Sequence, residues 1–386
     1  MKRIVIIFNV MLVIIMASTT VCYGQEQSVI EEIQRKLKFS SHNEKVEYYN
    51  SDKDILKLQT TELLEEVLNY EMLVDIYSYD SVYDGIKAVS KQYTGLEELL
   101  SRKDLEKTLL NKYENMDMKY NTTESNSVAQ IQNFIEDIKC GVTSEDDTEN
   151  VYRETSNTFR TIVAVDFIES LIIRPEYVNQ LNDSEKKDLV STIDKQWEEK
   201  KNSNIFSEDR NEIYYASINL GTEEILDNSI AIKEATTQKT IYTPKGTPVT
   251  VICYSYWGDK KSEEVTAEFV KQYPRALLLA NANNCYNCHS YAFVSASSHN
   301  VFWLNNPLPF LSDKSYVLVG NSPTAKEQKA LWFENGINWE HSGIVDAYSG
   351  GVVRVVSKWG QGPLMKHSTT DCPYGSDTVK YYKKNY

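Results

Sequence analysis

The chain is sparing with the residues that staple, bend or cross-link a fold. Among 386 residues there are six cysteines, five histidines, nine prolines and 15 glycines. Cysteine is too scarce for a disulfide framework to carry folding, and a chain of this length buries sizeable cores without one. Only one close cysteine pair occurs, Cys285 and Cys288, so no second pair completes the usual structural zinc arrangement. No strict heptad runs long enough for a coiled coil, and no repeat of solenoid type is present. The first 240 residues hold no EF-hand, haem-attachment or phosphate-cradling motif. Positive charge is also short: 41 Lys and Arg stand against 55 Asp and Glu, a formal net charge of -14. Such a chain repels nucleic acid and anionic membrane, so neither is expected as a partner.

The deficit is uneven. Residues 1–240 hold 27 basic and 44 acidic side chains, whereas residues 241–386 hold 14 and 11. The second part, weakly basic, tolerates an anionic matrix such as a cell wall. It also holds five of the six tryptophans: Trp257, Trp303, Trp332, Trp339 and Trp359.

At the N-terminus, MKR precedes the apolar run IVIIFNVMLVIIMA, too short for a comfortable membrane span, and then STTVCYG. This pattern predicts a signal peptide over residues 1–24 and an exported, extracellular or cell-surface protein. Removal of Cys22 leaves five cysteines; the odd number directs attention to a free, reactive thiol.

Apolar residues spaced by three and four predict helices in IEEIQRKL, in DILKLQTTELLEEVLNYEMLVDIYS, in GLEELLSRKDLEKTLLNKY and in three later segments ending at SEKKDLVSTIDKQWEEKK. Ser184 is read as the cap of the last. NMDMKYNTTESNS reads as a linker. After Lys239 the period changes to two: TIYTPKGTPVTVICYSYW reads as two strands about a turn, with Val249, Val251 and Cys253 on one face. The expected organisation is an acidic helical domain over residues 25–235, of open role, followed by an α+β domain over 236–386. The helical domain has three possible uses: placing the second domain on a surface, covering its site, or adding a stable unit.

The chemistry concentrates in NNCYNCHSYAF, residues 283–293. Its Cys285-Tyr286-Asn287-Cys288-His289 core has the spacing of a c-type haem attachment. The surrounding strand patterns do not suit a chain wrapped around a macrocycle, so no cofactor or metal is expected. Cysteine ligation of zinc and a disulfide from Cys285 to Cys372 or Cys253 are the other competing uses. Alternatively Cys288 begins a short helix capped by Asn284 or Asn287, where unpaired backbone amides favour a thiolate. Downstream, HSGIVDAY and GGVVRVVSKW read as strands joined at Ser349-Gly350-Gly351, with His341 at the start of the first. A thiol on a helix and an imidazole on a neighbouring strand are the components of cysteine nucleophilic catalysis. Ser357, His367, Asp346 and Asn338 are candidates to orient the imidazole. Phe302, Trp303, Phe310 and Tyr316, between Cys288 and His341, are candidates for a cleft wall.

NCHSYAF, HSGIV, VVSKWG and PLMKHSTTDCPY together resemble the secreted bacterial papain-like hydrolases of the NlpC/P60 and CHAP type, over roughly residues 240–386. That resemblance implies a papain-like α+β fold and cleavage of amide bonds in peptidoglycan or protein by a Cys-His pair with a third polar residue. It places the nucleophile on Cys288, the base on His341 and the third position near Ser357 or Trp359. This chain lacks the usual His, Asn, Gln or Glu there, so His367 is the substitute if its segment folds back.

Overall fold

A computed structural model describes residues 29–50, 54–116, 128–141, 148–201, 237–349, 351–375 and 377–386. The expected signal peptide, most of the linker and the expected domain boundary lie outside the described residues.

The architecture has two parts. The first is mostly helical: α1 (29–38), α2 (His42–Tyr49), α3 (Thr60–Leu68), α4 (Val82–Ser90), α5 (Thr94–Ser101), α6 (Leu105–Glu114), α7 (Val128–Lys139), α8 (Thr148–Ile172), α9 (Pro175–Val178) and α10 (Asp183–Lys201). The apolar period over residues 54–78 does not form one helix. It divides into α3 and two 3₁₀ helices, Asp54–Lys57 and Glu71–Ser78, the second buried from Met72 to Ser78. The start of α10 also differs from the expectation at Ser184. Asn182 caps it, its side-chain oxygen accepting from the Ser184 and Glu185 amides while Glu185 accepts from the Asn182 amide at 2.8 Å. An amide side chain and an acid three residues on satisfy the orphan donors better than the Ser184–Lys187 pair can.

The second part combines short helices and two antiparallel sheets. β1 (Thr237–Tyr242) and β2 (Pro248–Cys253) form a hairpin. The other sheet contains β3 (Leu277–Ala280), β4 (Tyr316–Gly320), β5 (Lys329–Glu334), β6 (Asn338–Ser349), β7 (Val352–Lys358), β8 (Leu364–Ser368) and β9 (Thr378–Lys384), in the order β3-β8-β7-β6-β5-β9-β4. The helices are α11 (Asp259–Gln272), α12 (Cys288–Phe293) and α13 (Pro309–Ser312).

Strand alternation divides the seven-stranded sheet into two packed faces. Leu331, Phe333 and Ile344 meet Ala292 and Phe293 of α12. Ala330, Trp332, Val345, Val355 and Met365 share the largest core with Phe269 and with helical residues from Leu63 to Ile193. The two parts are thus distinct in secondary structure but continuous in packing. Each fully buried large apolar side chain there contributes roughly 1.5–3 kcal/mol, so the shared core is a principal source of cohesion. Trp303, Phe310 and Tyr316, read above as candidates for a cleft wall, are buried and serve packing.

A close backbone contact also fastens the two parts. The Gln361 and Gly362 amides donate to the Tyr77 carbonyl at 2.8 and 3.0 Å. Gly360 has φ 53, and a Cβ there would lie 2.4 Å from the Ser78 carbonyl, so glycine meets both the turn and the approach.

Candidate functional site

Asn287, in extended backbone conformation, caps α12 by accepting from the Ser290 amide at 3.0 Å. Its amide nitrogen donates to the Leu304 carbonyl at 3.0 Å and to Asp80 at 3.1 Å, tying the cap to a neighbouring loop and to the helical part. Asn287 therefore fills the capping role left open between it and Asn284. Cys288 follows and is 3% exposed. Its sulfur is served by the backbone N–H groups of Ser342 and His289. α12 has only six residues, so these local donors matter more than a helix macrodipole. Burial, then Asp80, pushes the Cys288 thiol well above its ordinary range; the two amides and Lys358 oppose that shift.

β6 carries His341. The ring is fully buried, stacked on Tyr374 at 3.8 Å between centroids and set edge-on to Trp332 at 4.8 Å. Neither ring nitrogen has a hydrogen-bond partner. The adjacent Ser342 hydroxyl meets His289 Nδ1 at 2.8 Å on the α12 side, so alternation directs His341 to the other face. Its protonated form is strongly disfavoured by burial, with His367 and His289 adding to the effect. His341 thus faces away from α12, which carries Cys288, and no hydrogen bond joins the two. Tyr374 stands between the two environments: its ring stacks on His341, its phenol is influenced by Cys288, and its hydroxyl donates to the Ser78 carbonyl.

The PLMKH segment does return to the sheet as β8, and Ser357 and His367 meet there. His367 Nδ1 lies 2.8 Å from the Ser368 carbonyl, which fixes the proton on that nitrogen; Nε2 then accepts from the Ser357 hydroxyl at 2.6 Å. Burial lowers His367 to about 4. The pair lies against Trp359 and Trp332, and it orients itself with no hydrogen bond to His341. Asp346 instead pairs with Lys366 at 3.0 Å, and Asn338 reaches Glu334. His289 packs edge-on to Trp339 at 5.2 Å, and burial lowers it to about 3.

Several residues at this site escape a reading of sequence alone. Lys358 is fully buried and donates to the Asn283 and Gly360 carbonyls, each at 2.7 Å. Asp80 and Tyr374 come from segments remote from the CYNCH stretch. A cavity of about 230 Å³ opens beside Tyr374, with Tyr79, Lys91, Glu334, Glu340 and Asp377 among its lining residues. Asp377 is raised to about 7 by burial and by Glu340 and Glu334.

Cys140, Cys253, Cys285, Cys288 and Cys372 are free thiols, so the suggested disulfides of Cys285 are not formed. Among the described residues, no group of three or more His, Cys, Asp or Glu side chains has an arrangement that could hold a metal ion. None of their helices is long and apolar enough to cross a membrane. No protein-family model, curated protein or solved structure matches the chain.

Proposed function

We propose that this is an exported thiol-dependent amide hydrolase built on a divergent papain-like arrangement, with Cys288 as nucleophile and His341 as acid and base. Peptidoglycan peptides are the leading substrate class, with protein amides second. The observation that carries the reading is the buried Cys288 sulfur, met by the Ser342 amide, beside a strand whose preceding residue is the unsatisfied His341. Leaving a buried polar group without partners costs about 1–3 kcal/mol, and an imidazole that exchanges protons during turnover uses that unsatisfied capacity. The reaction needs the His341 ring to leave the Tyr374 stack and turn toward α12, where it takes the thiol proton. Sulfur then adds to the amide carbonyl, the C–N bond breaks, and the amine leaves with the proton from His341. Water deprotonated by His341 cleaves the thioester and restores the thiol. Ser357 and His367 support the strand carrying this chemistry through their own pair.

The absence of a Cys288–His341 hydrogen bond favours a second reading, a catalytically silent cell-surface binding protein. Hydrolysis of cell-wall peptides and of a protein substrate by the full chain, Cys288→Ser and His341→Ala distinguishes them. The hydrolase reading expects a loss of roughly 10²-fold or more in both variants; binding without product, or turnover unchanged in either variant, overturns it.

A further inference from the structure

The cavity beside Tyr374 lies on the seam between the two parts, and the proposed reaction makes no use of it. Its volume of about 230 Å³ is below the roughly 300–1,000 Å³ of clefts that bury drug-sized ligands, so it suits one small group. Both parts contribute to the wall. Tyr79 follows the Glu71–Ser78 3₁₀ helix and Lys91 caps the C-terminus of α4, while Glu334, Glu340, Tyr374 and Asp377 come from the sheet and its turns.

Local structure explains why carboxylates gather there. β5 and β6 pair at Trp332–His341 and again at Phe333–Trp339, so Glu340 is an extra residue, a β-bulge. A bulge re-aims a side chain: Trp339 packs on Phe293 of α12, whereas Glu340 joins Tyr374 at the cavity. Asp377 reaches the same space from the turn before β9, in which its amide donates to the Tyr374 carbonyl at 3.1 Å.

Charge in this space does not balance. Glu334 is satisfied, one oxygen lying 2.8 Å from Lys91 Nζ and the other accepting from Asn338 at 3.5 Å. Neither the Glu340 nor the Asp377 side chain has a hydrogen-bond or ion-pair partner among the described residues, although both are half-buried. Burial, then Glu340 and Glu334, raise Asp377 to about 7. Burial, then Glu334, raises Glu340 with a smaller push from Asp84, and Lys91 opposes both shifts. A cation placed between the two carboxylates relieves their repulsion. The rings of Tyr79 and Tyr374, 5.7 Å apart between centroids, add an aromatic wall that attracts an organic cation. A divalent metal is the poorer match: calcium takes about six to eight oxygen ligands, and the described residues hold no group of three or more side chains arranged for a metal.

We infer that the seam cavity is a binding site for a small organic ammonium, with the cation between Glu340 and Asp377 and its carbon chain against Tyr79 and Tyr374. The inference goes beyond the hydrolase reading and stands without it.

The test is calorimetric titration of the full chain with Nα-acetyl-lysine methylamide, beside the norleucine analogue, which keeps the carbon chain and lacks the charge, and beside calcium chloride. The lysine probe should bind, and the norleucine analogue should bind about tenfold or more weakly. Glu340→Gln and Asp377→Asn keep the shape of the wall and should each weaken the lysine probe by about tenfold or more. Affinity should rise from pH 6 to pH 8, because Asp377 ionises across that range and its ionised form attracts the cation. Lys91→Met removes the competing cation and should leave binding equal or tighter. Equal binding of the two probes, or unchanged affinity in both carboxylate variants with native circular dichroism, overturns the inference. So does calcium that displaces the lysine probe, or no binding of that probe at about 10 mM. Should the carboxylate variants not fold, weaker binding in Lys91→Met or an affinity that falls from pH 6 to pH 8 overturns it instead. Hydrolysis is scored separately: binding of the lysine probe without cleavage of any substrate supports the site and counts against the hydrolase reading alone, and Cys288-dependent cleavage without binding of the probe defeats the site alone.

Discussion

Asp75 lies in the buried 3₁₀ segment Glu71–Ser78, where its carboxylate accepts from the Tyr273 hydroxyl at 2.8 Å. Burial raises it from 3.8 to about 7, although Tyr273 and Lys45 pull it downward. Between those two values the folded chain binds a proton that the unfolded chain has released. The contribution of this residue to stability therefore falls as pH rises from about 4 to 7. Asp75→Asn keeps an acceptor for Tyr273 and removes the titration. Thermal melts of parent and variant between pH 4.5 and 8 should show the variant gaining on the parent as pH rises, and a constant difference would count against this account. Buried His42, lowered to about 4, acts in the opposite direction in both proteins, and because its ring lies 3.9 Å from Asp75 the difference reports Asp75 together with its coupling to His42.

The start of α10 tests a local pattern against its geometry. Asn182→Ala removes the acceptor for two amides and should destabilise the chain by about 1 kcal/mol, whereas Ser184→Ala should have a much smaller effect; urea unfolding of the two variants measures the contrast. The misplaced cap arose because Ser, Asp and Asn all suit the role and occur together at residues 182–184. Elsewhere local signals were clear. Alternation gave the β6–β7 pairing, with Ser349 opposite Val352, and the sequence narrowed the α12 cap to Asn284 or Asn287, of which the structure uses Asn287. The candidate site was less legible. Chain order places Cys288 before His341, but the face presented by His341 depends on the register of β5 with β6. Lys358 reads as a solvated residue within an apolar strand, yet the structure buries it against the Asn283 and Gly360 carbonyls. Ser357 and His367 are ten residues apart, and only the return of β8 against β7 makes them a pair.

At the scale of the whole molecule, one face of the sheet shares its interior with the helices of the first part, while the other packs on α12 within the second part. Trp332, Trp359, Phe269 and Tyr273 share a buried cluster with Leu63, Val67, Ile76 and Ile168. Buried polar contacts cross the same seam, including Lys45 to Asp371 at 2.7 Å and Tyr273 to Asp75. A chain of residues 237–386 made alone leaves this sheet face uncovered and should aggregate or remain incompletely folded. Co-expression with residues 25–201 should recover a one-to-one complex with native near-ultraviolet circular dichroism. A stable monomeric 237–386 with native tryptophan spectra would show instead that the seam is dispensable.

The position of β9 gives the molecule a direction in time. Residues 378–384 do not finish the sheet at its margin; they enter between β5 and β4 and pair with both. During synthesis the strand that joins these neighbours leaves the ribosome after both of them. β4 waits more than fifty residues for its partner, with its backbone donors and acceptors hydrated in the interval. Such long-range pairing slows closure of a fold, and ribosomes stalled before residue 378 would hold a nascent chain whose sheet is still in two pieces.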